Sequence, residues 1–208
     1  MKILPVNQAF DQSLQILQMG GTIILPTETC YGLSCDALNP EAVRTIFVLK
    51  GRTEKKSVLV LVSSIKMAKE YLVWSPKLEE LSSKFWPGPL TIVGKANPDI
   101  NFPPEVVDAQ GFLGLRVTAY PFLQNLISQF GRPIVSTSAN LAGEQNLYTS
   151  QEVISVFGDM KPFDKLRVSS ITPDQFVDAG DLPMNKPTTL VKIESEIVTV
   201  LRPGEVEV

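Results

Sequence analysis

Four stretches of this 208-residue sequence put hydroxyls, amides and cations where an ordinary core would not want them. Pro26-Thr27-Glu28-Thr29-Cys30-Tyr31-Gly32-Leu33 follows a short apolar run. Loops at strand ends are where open α/β sheets hold ligands, although threonines in a turn also bond their own backbone. Lys50-Gly51-Arg52-Thr53-Glu54-Lys55-Lys56 packs four cations into seven residues at the end of a helical pattern. They suit a phosphate clamp, with Lys as a compact charge and Arg as a bidentate fork; they also suit the negative end of a helix dipole. Ser136-Thr137-Ser138-Ala139-Asn140 follows the apolar Ile134-Val135. It reads either as a cradle of hydroxyls, an amide and backbone N–H groups for phosphate oxygens, or as a plain hydrogen-bonded turn. Arg116 falls inside Leu113-Gly114-Leu115-Arg116-Val117, where burial is costly unless an internal carboxylate or a ligand anion pairs with it. Thr188-Thr189 and Arg202-Pro203-Gly204 complete this fourth set. Trp86-Pro87-Gly88-Pro89-Leu90 reads as a rigid turn with an aromatic anchor.

Composition removes several other chemistries. Without histidine there is no Ser-His-Asp or Cys-His machinery, no HExxH zinc site and no proximal-His haem. Neither GxxxxGK[ST] nor GxGxxG occurs, so nucleotide binding must come from scattered cations and hydroxyls. Cys30 and Cys35, the only cysteines, cannot complete a four-ligand zinc site alone. They read as reduced structural thiols of a cytoplasmic protein. A net charge of −3 excludes a globally basic surface for nucleic acid, though not a local patch. The polar N-terminus lacks a signal-peptide core. The longest aliphatic run, residues 58–62, is far short of the roughly 20 residues a membrane helix needs, so no membrane partner is expected.

The elements that must position these residues alternate. With 44% hydrophobic and 20% charged residues the chain is a globule, read as one domain over 1–208. Periodicity and caps predict helices at 8–19, 40–49, 64–71, 76–85, 122–130 and 150–157. Strands are expected at 22–25, 57–62, 90–93, 113–117, 133–135, 175–177, 188–193 and 197–201. Residues 178–187 read as a loop. The fold class is α/β, a mixed sheet covered by helices.

Taken in order, Pro26-Thr27-Glu28-Thr29-x-Tyr31-Gly32-Leu33, Lys50-Gly51-Arg52, Phe85-Trp86-Pro87-Gly88-Pro89-Leu90-Thr91, Arg116-Val117, Ser138-Ala139-Asn140 and Leu201-Arg202-Pro203-Gly204 resemble the YrdC/Sua5 family of threonylcarbamoyl-AMP synthases of the tRNA t6A pathway. Each motif is weak alone; six in one order cover residues 20–204. The resemblance implies a twisted, open, mixed sheet around a positively charged cavity, in the short single-domain form. It implies that L-threonine, bicarbonate and ATP give threonylcarbamoyl-AMP and pyrophosphate, with Mg²⁺ neutralising the leaving charge. By resemblance Lys50 and Arg52 are catalytic and hold the triphosphate, Ser138 and Asn140 contact the phosphates, and Arg202 faces ATP. Arg116 then pairs with the threonine carboxylate, Thr27 and Ser136 bond the amino acid, and Thr188 supplies a hydroxyl where the family often has serine. The implied partners are the three small substrates, tRNA or double-stranded RNA, and a separate t6A transferase complex.

Where some members carry a histidine after the Lys-x-Arg segment, this chain has Val60-Leu61-Val62. Lys186-Pro187-Thr188-Thr189 also resembles the YciO branch, but that branch departs at the Lys-x-Arg and Ser-x-Asn pairs, and both are intact here. Other classes fit less well. A YciO-like nucleotide- or RNA-binding protein without synthase activity would rest on the cations of 50–56. A serine acyl-enzyme would rest on Ser63-x-x-Lys66, which lacks its KTG element.

Overall fold

The computed structural model describes residues 1–52, 57–158 and 171–208. Lys55 and Lys56 of the cationic run, with Thr53 and Glu54 between them and Arg52, lie outside the described residues. Among the described residues, ten strands and six helices follow one another as β1 (Lys2–Pro5), α1 (Phe10–Gln18), β2 (Ile23–Pro26), β3 (Tyr31–Asp36), α2 (Pro40–Lys50), β4 (Val60–Val62), α3 (Ile65–Tyr71), α4 (Pro76–Phe85), β5 (Leu90–Lys95), β6 (Phe112–Val117), α5 (Pro121–Phe130), β7 (Ile134–Ser138), α6 (Ser150–Phe157), β8 (Gln175–Asp178), β9 (Thr189–Glu194) and β10 (Ile197–Arg202).

The helices start where their caps dictate. Asn39 accepts from the N–H groups of Glu41 and Ala42, with Pro40 in the first turn of α2. Ser64 and Ser75 cap α3 and α4 in the same way, and Thr149 with Glu152 forms a capping box on α6. Gly51 ends α2 at φ +60°, a left-handed conformation that glycine adopts without a Cβ penalty. Lys50 is thereby the last helical residue and Arg52 the first beyond the turn.

The strands form one sheet in the order β1-β8-β2-β3-β7-β4-β6-β5-β9-β10. Pairing is mixed: β1–β8, β2–β8, β4–β6 and β5–β9 are parallel, while β2–β3, β3–β7, β4–β7, β5–β6 and β9–β10 are antiparallel. Helices α1, α2, α3 and α5 pack on the central strands. Alternation along each strand separates two populations. Ile92, Leu115, Val135 and Val191 join the apolar core, while Thr91, Val93, Gly114, Arg116, Ser136, Leu190 and Lys192 turn to the other face.

Sequence periodicity misses two strands and misplaces ends: the strand expected at 57–62 begins only at Val60. β3, Tyr-Gly-Leu-Ser-Cys-Asp, is buried at all six positions, so no apolar–polar alternation marks it, and the expected loop is confined to residues 27–30. β1 is a short edge strand with mostly exposed side chains. β7 runs on through Ser136-Thr137-Ser138, because those hydroxyl residues pair with Ser34, Leu33 and Gly32 of β3.

Replacing Asn39 with Ala should lower unfolding stability by about 1 kcal/mol. Urea denaturation should show a lower midpoint with an unchanged slope.

Candidate active site

A cavity of about 580 Å³ opens on the polar face of the sheet. Its floor is laid by alternate residues of the central strands: Thr91 and Val93 of β5, Gly114 and Arg116 of β6, Ser136 and Ser138 of β7. One wall is the turn before β3 together with Arg52, and the other is β9 and β10 with Leu190, Lys192 and Arg202. Among the described residues, four of the lining side chains are cationic (Arg52, Arg116, Lys192 and Arg202) and one is a carboxylate, Asp108.

Arg116 is the deepest charge. It is 2% exposed, and its Nη2 donates to Glu28 Oε2 at 3.3 Å. Burial pulls its pKa down, and the Glu28 carboxylate opposes that shift. The Glu28 carboxylate also accepts from Thr118 Oγ1 at 2.7 Å and from the Ala119 N–H at 2.6 Å. Both readings of Arg116 therefore meet: an internal carboxylate neutralises one edge of the guanidinium, while Nε, buried and without a hydrogen-bond partner, leaves another edge unsatisfied.

Thr27 is spent on its own turn. Its Oγ1 donates to the Cys30 carbonyl at 2.7 Å and accepts from the N–H groups of Thr29 and Cys30. Gly32 keeps the cavity wall low here. A Cβ on it would come within 3.2 Å of Ser136 Oγ and 3.4 Å of Thr27 Cγ2. Cys30 lines the cavity beside this turn, and burial raises the pKa of its thiol. Cys35 is buried, and its thiol pKa is raised by the same cause.

The Lys-x-Arg and Ser-x-Asn segments meet, but their four side chains do not share one surface. Arg52 and Ser138 line the cavity; Lys50 and Asn140 sit behind the turn, outside its lining. Lys50 Nζ donates to Ser138 O at 2.5 Å, Asn140 O at 3.0 Å and Asn140 Oδ1 at 2.7 Å. Asn140 Nδ2 donates to Glu144 O at 2.6 Å, and Ser138 Oγ donates to Asn140 Oδ1 at 2.7 Å. The expected cradle of free backbone N–H groups is not present at the turn's centre, because Ala139 N–H donates to Tyr31 O and Asn140 N–H to Ser138 O.

At the opposite wall Arg202 Nη2 donates to Thr188 O at 3.0 Å and lies 3.3 Å from Thr188 Oγ1. The Thr188 hydroxyl in turn shares a hydrogen bond with Thr91 Oγ1 at 3.0 Å. Gly204 lets the chain pass tightly after Arg202, since a Cβ there would fall 2.2 Å from Pro187 O. Trp86 anchors the adjoining turn through Nε1–H to Leu90 O at 2.6 Å. Sequence reasoning did not single out Thr91, Lys192 or Asn185 as cavity residues, and it did not give Glu28 its role as the Arg116 counter-charge. Thr91 and Lys192 follow from strand alternation once register is known. Asn185, whose Nδ2 donates to Glu28 O, carries no such signal.

Removing the Glu28 charge leaves Arg116 buried and unneutralised. Glu28→Gln should cost about 2 kcal/mol, less than the ~3–5 of a fully buried pair because the carboxylate is 18% exposed. Chemical denaturation of the ligand-free protein reads this loss directly.

Comparison with known proteins gives one family. The family model Sua5_yciO_yrdC, described as "Telomere recombination", matches residues 15–204. The Vibrio campbellii threonylcarbamoyl-AMP synthase is 34% identical over 154 residues, covering 72% of this chain and 82% of its own. A putative threonylcarbamoyl-AMP synthase of Methanocaldococcus jannaschii is 30% identical over 189 residues, covering 91% and 82%. Among solved structures, P. abyssi Sua5 complexed with L-threonine superposes with a TM-score of 0.84 at 25% identity. That match covers 98% of this chain and 58% of the Sua5 chain, so this chain spans less than two thirds of that protein. E. coli YciO shares the fold at a TM-score of 0.79 and 21% identity, covering 98% and 92%.

Proposed function

The chain belongs to the Sua5/YciO/YrdC family, and we propose that it is an L-threonylcarbamoyladenylate synthase, a nucleotidyltransferase that makes threonylcarbamoyl-AMP and pyrophosphate from L-threonine, bicarbonate and ATP. The observation that carries this reading is the cavity itself: among the described residues four cations line it against one lining carboxylate, Arg116 and Lys192 being paired with Glu28 and Glu194 while Arg52 and Arg202 add positive charge at its walls. Anionic substrates complement such a site.

In this reading the cavity-facing part of the Arg116 guanidinium binds the threonine carboxylate, and the Ser136 hydroxyl bonds the amino acid from β7. Thr27 shapes this subsite through its turn, and Thr188 holds Arg202. Arg52, Ser138 and Arg202 face the nucleotide. The neutral threonine amine bonds to the carbon of CO₂ released from bicarbonate, giving a carbamate; the amine's proton and the hydroxide left by bicarbonate depart as water. Its oxygen forms a bond to the α-phosphorus as the bond to the β-bridging oxygen breaks, and pyrophosphate leaves. The nucleophile is already an anion, so a site without histidine suffices. Catalysis is positioning and stabilisation of the charge that gathers on the leaving phosphates. Among the described residues no group of three carboxylates or thiols converges as a metal site. The adenylate passes on to a separate transferase complex that modifies tRNA, which places the work in the cytoplasm; no helix among the described residues is long and apolar enough to cross a membrane.

Purified protein given MgATP, bicarbonate and L-threonine should release pyrophosphate, and omitting either threonine or bicarbonate should abolish the release. Release that ignores threonine overturns the reading. Arg52→Ala should cut the rate at least ~100-fold, the scale of one lost transition-state charge contact. Arg116→Ala should raise the KM for threonine more than that for ATP.

A further inference from the structure

β10 is the last strand of the sheet, and among the described residues nothing pairs with its outer edge. Ile197, Val200 and Leu201 on it are 67%, 48% and 52% exposed. Native edge strands are blunted by charge, proline or shortness, because their free N–H and C=O groups invite another strand. The opposite edge, β1, follows that rule with four residues that include Lys2 and Pro5. β10 has six residues and neither charge nor proline from Ile197 to Leu201. The residues after it turn back to the start of β9 instead of along the edge: Glu205 N–H donates to Pro187 O and Val206 N–H to Thr189 Oγ1.

The hairpin fixes which backbone groups are free. Ser195 and Glu196 have φ of +51° and +64°, the pattern of a two-residue type I′ turn between β9 and β10. Such a turn is closed by a hydrogen-bonded pair, here Glu194 with Ile197. Pairs then alternate, so Ile197 and Thr199 point their N–H and C=O groups at β9, while Val198 and Val200 point theirs outward. A bulge between Val200 and Arg202 ends this regular segment.

We propose that β10 is the docking edge for a second copy of this chain, paired antiparallel through the same strand about a twofold axis at Thr199. In that register Val198 exchanges hydrogen bonds with Val200 of the partner subunit, and Val200 with Val198 of the partner subunit. Ile197 comes against Leu201 of the partner subunit, so apolar pairs cover both faces of the junction. The axis runs perpendicular to the sheet, and the two cavities open on the same face.

Charge selects this partner and this direction. Glu196 precedes the uncharged run and Arg202 ends it. Its carboxylate is held at the hairpin tip, where Oε2 accepts from the Lys77 N–H at 2.9 Å. Antiparallel self-pairing brings each Glu196 to the arginine end of the other strand, whereas parallel pairing would set like charges side by side. Pairing of β10 with β1 would be head to tail and would leave both kinds of edge free to add further copies. Pairing of β10 with itself uses up both exposed edges and stops at two.

Sedimentation velocity of the full chain from about 1 μM to about 1 mM covers the affinities expected of a strand-sized interface. Wild type should pass reversibly from monomer to dimer over that range. Thr199→Lys sets two ammonium groups opposite each other at the axis and should weaken association at least ~10-fold; Thr199→Glu should do the same with carboxylates. An equal mixture of the two variants should recover the dimer, since position 199 faces itself in this register. A wild type that stays monomeric throughout, or that grows past two copies, overturns the proposal. So does a mixture that stays monomeric where wild type dimerises. Amide exchange gives a readout without substitution: the Val198 and Val200 N–H groups should become protected as wild-type concentration rises. Unchanged exchange at both in a dimeric sample would place the contact elsewhere and overturn the assignment.

Discussion

The ion pair between Arg116 and Glu28 is the constraint around which the polar face is arranged. A guanidinium 2% exposed cannot stay in a sheet interior unless a carboxylate reaches it. Glu28 does so from the four-residue loop between β2 and β3, across β7 and β4, to the end of β6. Its further bonds to Thr118 and Ala119 fasten that loop to the strand end. The turn of Thr27 and the position of Cys30 belong to the fastened loop, and the low wall at Gly32 follows it at the start of β3. One carboxylate thus fixes a cavity wall and neutralises one edge of the charge.

Around that pair the site is built in two depths. Arg52, Ser138, Thr188 and Arg202 line the cavity; Lys50 and Asn140 stand behind it and hold the Ser138 turn, and Thr188 holds Arg202. The supports carry rigidity because the Lys50 ammonium, the Asn140 amide and the Thr188 hydroxyl are tied to fixed protein partners, which preorganises the donors in front of them. A saturated support costs no reorganisation when charge shifts on the substrate.

Much of this was legible in the residue order. Asn39-Pro40, Ser75-Pro76 and the Thr149–Glu152 box announce their helices because caps act locally, within one turn. The six short motifs pointed to the right family and to the strands and turns that meet at the cavity. β3 was hidden because a strand buried on both faces loses its alternation, and small residues such as Gly32 and Ser34 carry little β signal. The separation of Lys50 from Arg52 was hidden for a different reason. Spacing of two residues across a helix end says nothing about direction until Gly51 turns the chain, and that turn sends one cation behind the wall and the other in front. Glu28 could have been read as the partner of Arg116 only by knowing that residues 88 positions apart become neighbours.

The strand order also sets when the pocket can exist. Its first wall comes from residues 27–32 and its last from β9 and β10, at the far edge of the sheet. Contacts so distant in sequence close late in folding, after the loop entropy between them has been lost. A chain emerging from the ribosome carries Arg116, Glu28 and the Lys50 turn long before it has Leu190 or Arg202. A substrate that needs both walls recognises only the completed sheet, so its binding energy adds to the stability of the whole domain and not to any early-folding part of it.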